Sequence, residues 1–375
     1  MNVFSATIET ATFKRFITTV SKAAGRYSNN SSVEFAQNSR GNMITDVIIR
    51  HPDGDRFITA EFDNSIIGDA NLNLKDLAER VTGIRENHFN IFSDDYNFEL
   101  TTVNVKTHVE TGRERGKATP ENWRRDTETE TKPFITMLRR LAKNAADDRI
   151  SHLDVIHIEP LIGSPGQELE KVFFIASNGF TLIKKEYSIN IRKTFNLSRY
   201  DAETIVKLEK LFGDWLSISA YVDNETDPGY MAFTGDGFTY ICPNRTDQYP
   251  DWQRVMPKNS SAWITFYQPK EFAEMLESAK RFSSNDTATI TVNGSVELIA
   301  GPKENPDYQV EIIDVDYTGA AEFKFQPQLL INMIDKKARK LEILFSNSSD
   351  VLPGITPAKI INAELKETNI VMPIR

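Results

Sequence analysis

Three stretches of the chain carry the same helical periodicity, and they recur at domain-sized intervals. Thr10 to Ala24 places Phe13, Phe16, Ile17 and Val20 on one face, Lys132 to Ala146 does so with Phe134, Leu138, Leu141 and Ala145, and Gln268 to Arg281 with Phe272, Leu276 and Ala279. Apolar residues at i, i+3/i+4 and i+7 mark a helix that buries one stripe and shows the other to water. From Phe13 to Phe134 is 121 residues, and from Phe134 to Phe272 is 138. A repeat of that period is a whole domain, and 375 residues are more than one ordinary core organises.

A second helical pattern falls about halfway along each repeat, at Leu74 to Val81, Asp201 to Phe212 and Gln326 to Lys337. Between the helices the sequence reads as short strands with turn punctuation. Val47-Ile48-Ile49 and Phe57-Ile58-Thr59 flank His51 to Asp55, Val172 to Ile175 precedes Ser177-Asn178-Gly179, and Met231 to Phe233 and Phe238 to Ile241 flank Gly235-Asp236-Gly237. Asn-Gly and Asp-Gly between β-prone runs are hairpin signals. The expected architecture is α+β: three repeated domains over residues 1–127, 128–257 and 258–375, each with two helices packed on antiparallel sheets. The polar runs Asp126 to Thr131 and Lys258 to Ser261 are expected to be linkers. Domain ends repeat as well, because Thr119-Pro120-Glu121-Asn122-Trp123-Arg124-Arg125 parallels Tyr249-Pro250-Asp251-Trp252-Gln253-Arg254.

The chemistry of most enzymes is missing. No Gly-x-x-x-x-Gly-Lys-Ser/Thr loop is present to cradle a nucleotide, and no serine sits in a nucleophile elbow. The five histidines are scattered, and none stands at metal-ligand spacing from Cys242, the single cysteine. Asp94-Asp95 and Asp147-Asp148 could serve as two-metal carboxylates, but solvated turn residues are the simpler reading. A binding protein without catalytic residues, cofactor or metal is therefore expected. The lone cysteine fits a reducing cytosol, and no apolar run approaches the ~18 residues of a membrane span. Met1 to Phe4 shows neither a basic segment nor a cleavage site, so secretion is not expected and a cytoplasmic location is.

Net charge is −9, from 44 basic and 53 acidic residues, which argues against a general nucleic-acid coat. Distribution matters more than the sum. The polar faces of the repeated helices carry Lys14, Arg15 and Lys22, then Arg139, Arg140 and Lys143, then Lys207 and Lys210, and finally Lys336, Lys337, Arg339 and Lys340. Any soluble helix shows basic residues to water. The same placement on several repeated helices fits a shared basic surface that meets phosphates without reading bases.

Three short stretches are more specific: Ser177-Asn178-Gly179-Phe180-Thr181-Leu182, Tyr249-Pro250-Asp251-Trp252-Gln253-Arg254-Val255-Met256-Pro257, and Asn369-Ile370-Val371-Met372-Pro373-Ile374-Arg375. With Glu311 to Gly319 they resemble the signature of the bacterial β sliding clamp, the processivity ring of the replicative DNA polymerase. The resemblance covers essentially the whole chain and is most specific from about residue 150 onward. It implies a head-to-tail homodimer closing a six-domain ring around double-stranded DNA, opened and closed by an ATP-driven clamp loader. It also implies one pocket, between the second and third domains, that receives a short linear motif from the DNA polymerase, the loader and repair partners. By motif, that pocket would be lined by Leu153, Ser177, Gly179, Phe180, Thr181, Leu182, Pro250, Arg254, Val255, Val371, Met372, Pro373, Ile374 and Arg375. DNA contacts would come from Lys22, Arg26, Arg139, Arg140, Lys143, Arg149, Arg199 and Lys207. The ring interface would use Arg281 and Phe282 against Lys75 and the strand Asn104 to Val109. The family usually has His-Arg-Leu after this turn, where this chain has Phe180-Thr181-Leu182, and the family's final leucine after the arginine is absent. A shifted peptide preference is expected. A scaffold of repeated α+β domains that binds peptides but not DNA is the alternative from another class.

Overall fold

The computed structural model describes residues 4–37, 44–50, 56–63, 65–67, 70–94, 97–102, 106–109, 124–147, 152–161, 171–189, 191, 193–221, 229–257, 259–302, 304–345 and 357–373. The chain divides into two compact units, Met1–Arg139 with Tyr200–Thr246, and Arg140–Arg199 with Asp247–Arg375.

Six α-helices occur among the described residues: α1 (Thr10–Ala24), α2 (Leu74–Thr82), α3 (Thr131–Asn144), α4 (Arg199–Lys207), α5 (Pro269–Phe282) and α6 (Pro327–Met333). Local chemistry sets their ends. Glu9 caps α1, its carboxylate accepting from the amides of Ala11 and Thr12 at 3.2 and 2.9 Å. These bonds from Thr12 hold the Glu9 carboxyl below its usual range. Gly25 closes the helix at φ 54°, a conformation open to a residue without Cβ. Asn73 caps α2 through the Asp76 amide at 3.0 Å. Both α5 and α6 start with a proline after a glutamine, Gln268-Pro269 and Gln326-Pro327, where the missing N–H costs nothing.

The first unit contains a five-stranded and an eight-stranded antiparallel sheet. In order, the five-stranded sheet is Ser65–Ile67, Phe4–Glu9, His88–Asp94, Asn97–Thr101, Lys106–Val109. The eight-stranded sheet runs Arg124–Glu130, Trp215–Tyr221, Tyr230–Gly235, Phe238–Pro243, Phe57–Asp63, Ile44–Arg50, Ser32–Gln37, Ala70–Asn73. Its two central strands join distant sequence, Phe238 lying opposite Ala60 and Ile241 opposite Phe57. The expected hairpin is present: Asp236 and Gly237, at φ 46° and 73°, form the two-residue turn, both left-handed as a tight hairpin's twist requires. Phe13 packs against Phe35 and Phe89 in the core, and Phe238 against Phe16 and Phe212. Asp201, fully buried, is held by the Arg56 guanidinium at 2.5 and 3.1 Å and by the Tyr240 hydroxyl at 2.7 Å.

The second unit contains a nine-stranded and a four-stranded sheet, also antiparallel. The larger runs Phe195–Ser198, Val155–Pro160, Val172–Ser177, Thr181–Tyr187, Glu367–Val371, Ala358–Asn362, Leu341–Phe345, Ala262–Phe266, Val315–Gly319. The smaller runs Tyr308–Glu311, Val296–Ala300, Ala288–Val292, Ala321–Phe325. Helices α5 and α6 pack together here, with Phe272 stacked on Phe266 at 4.0 Å.

Two expectations are corrected. The polar run from Asp126 to Glu130 is no linker; it belongs to strand Arg124–Glu130, paired with Trp215–Tyr221 through a bulge at Asp126. Its Thr-Glu alternation puts Thr127 and Thr129 on the half-buried face and Glu128 and Glu130 in water, which suits the edge of a sheet. The pattern from Gln326 to Lys337 is helical only to Met333. There the Met333 carbonyl accepts from Asn362 Nδ2 (3.2 Å), Asn369 Nδ2 (3.0 Å) and Arg140 Nη2 (3.0 Å). Side chains from distant segments take the helix's terminal acceptor, and Ile334 turns extended. His51 to Asp55, Asp95, Asp148 and Thr119 to Trp123 lie outside the described residues.

Candidate functional site

The three motif stretches meet on one face of the nine-stranded sheet. Strand Thr181–Tyr187 pairs with Glu367–Val371, so Leu182 lies opposite Ile370 and Thr181 opposite Val371, and the Met372 amide extends the ladder to the Phe180 carbonyl at 2.9 Å. Side chains alternate between faces along a strand. Leu182, Ile370 and Met372 therefore share one face. On it, Val155, Ile175, Leu182, Tyr249 and Ile370 form a buried apolar cluster, against which Leu153, Phe173, Trp252, Val255, Met256 and Met372 pack half-buried.

The turn before Leu182 is rigidly built. Asn178 Oδ1 accepts from the Phe180 and Thr181 amides at 3.0 and 2.8 Å, and Ser177 Oγ donates to the Thr181 carbonyl at 2.8 Å. Gly179 sits at φ 88°, where a side chain would strain the turn. Beneath it, Asn144 at the end of α3 donates to the Ala176 carbonyl (2.9 Å) and accepts from the Thr181 hydroxyl (2.6 Å). Phe180 projects from the turn, 64% exposed.

The Tyr249 to Met256 segment covers the same sheet face. Tyr249 stacks on His157 at 4.7 Å, and His157 Nδ1 lies 2.7 Å from Asn196 Oδ1. Burial pushes the Tyr249 hydroxyl well above its usual range. Asp251 caps the helical turn Trp252–Val255 through the Gln253 amide (3.2 Å) and holds Arg254 Nε at 3.1 Å. Trp252 Nε1 donates to Glu159 Oε2 at 2.8 Å, and its ring meets Phe173 edge-on at 6.1 Å.

Of the pocket residues expected from sequence, Leu153, Leu182, Val255 and Met372 belong to this apolar assembly. Thr181 and Val371 are buried beside it, Ser177 and Pro373 are half-buried, and Gly179, Phe180, Pro250 and Arg254 are exposed. Ile374 and Arg375 lie outside the described residues. Asn144, Val155, Phe173, Ile175, Lys184, Tyr249 and Met256 were not expected. The alternation of the strand from Thr181 could have pointed to Lys184; the others join through tertiary packing.

The expected DNA-facing residues divide. Lys22 and Lys143, in the last turns of α1 and α3, are exposed, as is Lys207 at the end of α4. Arg139 is 2.8 Å from Glu209. Arg140 and Arg199 bond to other parts of the protein. Arg140 Nη2 is 2.8 Å from the buried Glu367, and Arg199 Nη1 donates to the Ala145 and Ala146 carbonyls at 3.2 and 3.3 Å, just past α3. Lys14 likewise donates to the carbonyls of Thr82 (2.6 Å) and Ile84 (3.3 Å). Arg26 is the second residue of the short helical segment Gly25–Asn30 after α1, and Arg149 lies outside the described residues.

Of the expected ring-contact residues, Lys75 is exposed on α2, 3.9 Å from Glu79, and Val109 ends the edge strand Lys106–Val109. Arg281 and Phe282 end α5. Phe282, 60% exposed, stacks on Tyr308 of the edge strand Tyr308–Glu311 at 5.9 Å. Among the described residues no group of three or more His, Cys, Asp or Glu side chains is placed to hold a metal, and no helix is long and apolar enough to cross a membrane.

No protein-family profile matches the sequence, and no curated protein sequence matches it. Solved structures do match over the full length. A DNA polymerase sliding clamp from Caulobacter crescentus superposes with a TM-score of 0.80 at 16% identity, covering 99% of each chain. That of Pseudomonas aeruginosa, solved with a ligand, gives 0.79 at 12% identity over 99% of this chain and 100% of its own. The sliding clamp of Bartonella birtlesii bound to griselimycin gives 0.77 at 14% identity over the whole of both chains. Along its whole length, this chain has the fold of the bacterial β sliding clamps.

Proposed function

We propose that this chain is a DNA sliding clamp: a homodimeric ring that encircles duplex DNA, tethers the replicative polymerase and recruits partners through the groove of the second unit. The observation that carries the reading is the convergence of the Asn178-Gly179 turn, the Trp252 turn and the C-terminal strand on one apolar face, in a chain with the clamp fold from end to end. An apolar groove containing Met256 and Met372 adapts to varied aliphatic and aromatic anchors. Its hydrogen-bonded turns keep it preformed and lower the entropic cost of binding.

The repeat supports three domains, 1–127, 128–257 and 258–375, and the sheet edges Lys106–Val109 and Tyr308–Glu311 suit a head-to-tail ring contact involving Lys75, Val109, Arg281 and Phe282. Exposed Lys22, Lys143 and Lys207 are the favoured phosphate contacts, and Arg26, Arg139 and Arg149 are proposed with them. The chain works without catalysis and depends on a separate loader. A topological assay tests this. Protein assembled on closed circular duplex by a clamp loader should survive gel filtration in high salt and leave when the circle is cut. Release from intact circles at high salt would support the scaffold reading instead.

A further inference from the structure

Lys184 lies on the groove face of its strand, two residues beyond Leu182 and opposite Ile175 and Thr368. Its ammonium sits 3.7 Å from the centroid of the Phe173 ring and 5.1 Å from that of Trp252, both of which pack against the apolar cluster. Such a box of aromatic faces holds a cation but gives its three N–H donors no oxygen acceptor. The two nearest carboxylates are already engaged. Glu159 accepts from Trp252 Nε1 at 2.8 Å, and Glu186 is 2.9 Å from Lys171. A second cation, Lys359, lies close enough to repel Lys184, and together with burial it holds the Lys184 ammonium below the usual lysine range, burial being the larger cause. Glu186 and Glu159 attract the ammonium in turn, each less strongly than Lys359 repels it, so this end of the apolar face holds an ammonium that no carboxylate among the described residues bonds directly.

Resting on the groove reading above, we propose that Lys184 is an anion subsite that selects partner peptides carrying an aspartate or glutamate beside their apolar anchors. A carboxylate reaching the aromatic box would supply the oxygen acceptor that no described residue gives Lys184, in surroundings partly stripped of water where a charge-assisted hydrogen bond is strong. This chemistry belongs to Lys184, Phe173 and Trp252 together. The peptide preference left open by Phe180 and Thr181 would then be set three residues further along the same strand.

The test is calorimetric titration of the full-length protein with two synthetic peptides sharing a Leu-x-Leu-Phe core, one flanked by aspartate and the other by asparagine. The wild-type protein should bind the aspartate peptide about tenfold more tightly, with the difference shrinking as salt rises. Lys184→Met keeps the apolar stem and should bind both peptides with the asparagine peptide's affinity, whereas Lys184→Arg should keep the preference. Equal affinities for the two peptides on the wild type would overturn the subsite and leave the groove intact. So would a preference that survives in Lys184→Met, or a loss of DNA retention in that variant with peptide discrimination unchanged. Failure of both peptides to bind the wild type would overturn the groove reading and the subsite with it.

Discussion

Replacing Arg140 by leucine separates a structural arginine from a DNA-binding one. Arg140 Nη2 is 2.8 Å from Glu367 Oε1 and 3.0 Å from the Met333 carbonyl, and the Glu367 side chain is only 4% exposed. Breaking a fully buried ion pair from one side costs about 3–5 kcal/mol, because the remaining charge is stranded. Here the stranding is partial. Glu367 Oε1 keeps the amides of Asn369 at 2.7 Å and Asn362 at 3.3 Å, and both amides also reach the Met333 carbonyl. What Arg140→Leu removes is one charge-assisted bond and one ordinary one, about 2–3 kcal/mol in all. Glu367→Gln keeps an acceptor for the two asparagines and should cost about 1–2 kcal/mol. The double variant should fall short of the sum by a coupling of about 1–2 kcal/mol. Urea unfolding followed by tryptophan fluorescence measures all three, since Trp252 and Trp263 belong to the same unit. The salt dependence of DNA retention should not change in Arg140→Leu. A loss below about 0.5 kcal/mol together with weakened DNA retention would refute the reasoning and return Arg140 to the phosphates.

Four further outcomes are expected. Phe282→Asp should give monomers by native mass spectrometry, because the exposed ring stacked on Tyr308 at the sheet edge is the proposed ring contact; an unchanged dimer mass would remove it from the interface. Gly235→Ala should destabilise the first unit by about 2–4 kcal/mol, since a Cβ there would collide with the Phe212 carbonyl oxygen, and a thermal midpoint equal to wild type would contradict this packing. Deleting Met372 to Arg375 should abolish peptide binding and leave the dimer intact; dissociation would mean that the terminus also holds the ring together. Burial raises the Tyr200 hydroxyl to about 12 and pushes those of Tyr240 and Tyr249 well above their usual range, so their contribution to stability is complete below the unfolded value near 10 and is lost as pH rises towards 12. Ultraviolet titration should therefore show at least three of the eleven tyrosines resisting ionisation until the protein unfolds at alkaline pH, and eleven titrating together near pH 10 would contradict it.

The helices were legible because their information is local. Apolar spacing, the Asn73 cap and the prolines at 269 and 327 all act within a turn or two, and α1 spans the residues its periodicity marks. Where a distant residue decides, the pattern misleads. Helix α6 ends early because Asn362, Asn369 and Arg140 take its last carbonyl, and the threonine-glutamate run pairs as a strand because Trp215–Tyr221 offers an edge. Sheet continuity was not legible either, since nothing near Phe57 announces Ile241 as its partner. At the site, motif residues such as Leu182 and Met372 could be named from sequence. Tyr249 and Asn144 gain their places through tertiary packing and burial, which no short window contains.

The C-terminal strand shows why such a groove can be preformed. Its odd-numbered residues Glu367, Asn369 and Val371 are all buried; the first two join Asn362, Arg140 and the end of α6 in one hydrogen-bonded network. Its even-numbered residues Ile370 and Met372 face the apolar cluster beside Leu182. A slip of one residue would send the carboxylate and the amide into the apolar cluster and strand Ile370 among polar partners. Burying those groups without their bonds costs several times what a single contact contributes, about 1–3 kcal/mol for each orphaned group. The polar network on one face therefore fixes the register, and the register aligns the apolar face. Thr181, opposite Val371, repeats the arrangement through its bond to Asn144, leaving Leu182 to the groove. The proposed binding surface is held in place by residues on the opposite face of the strand.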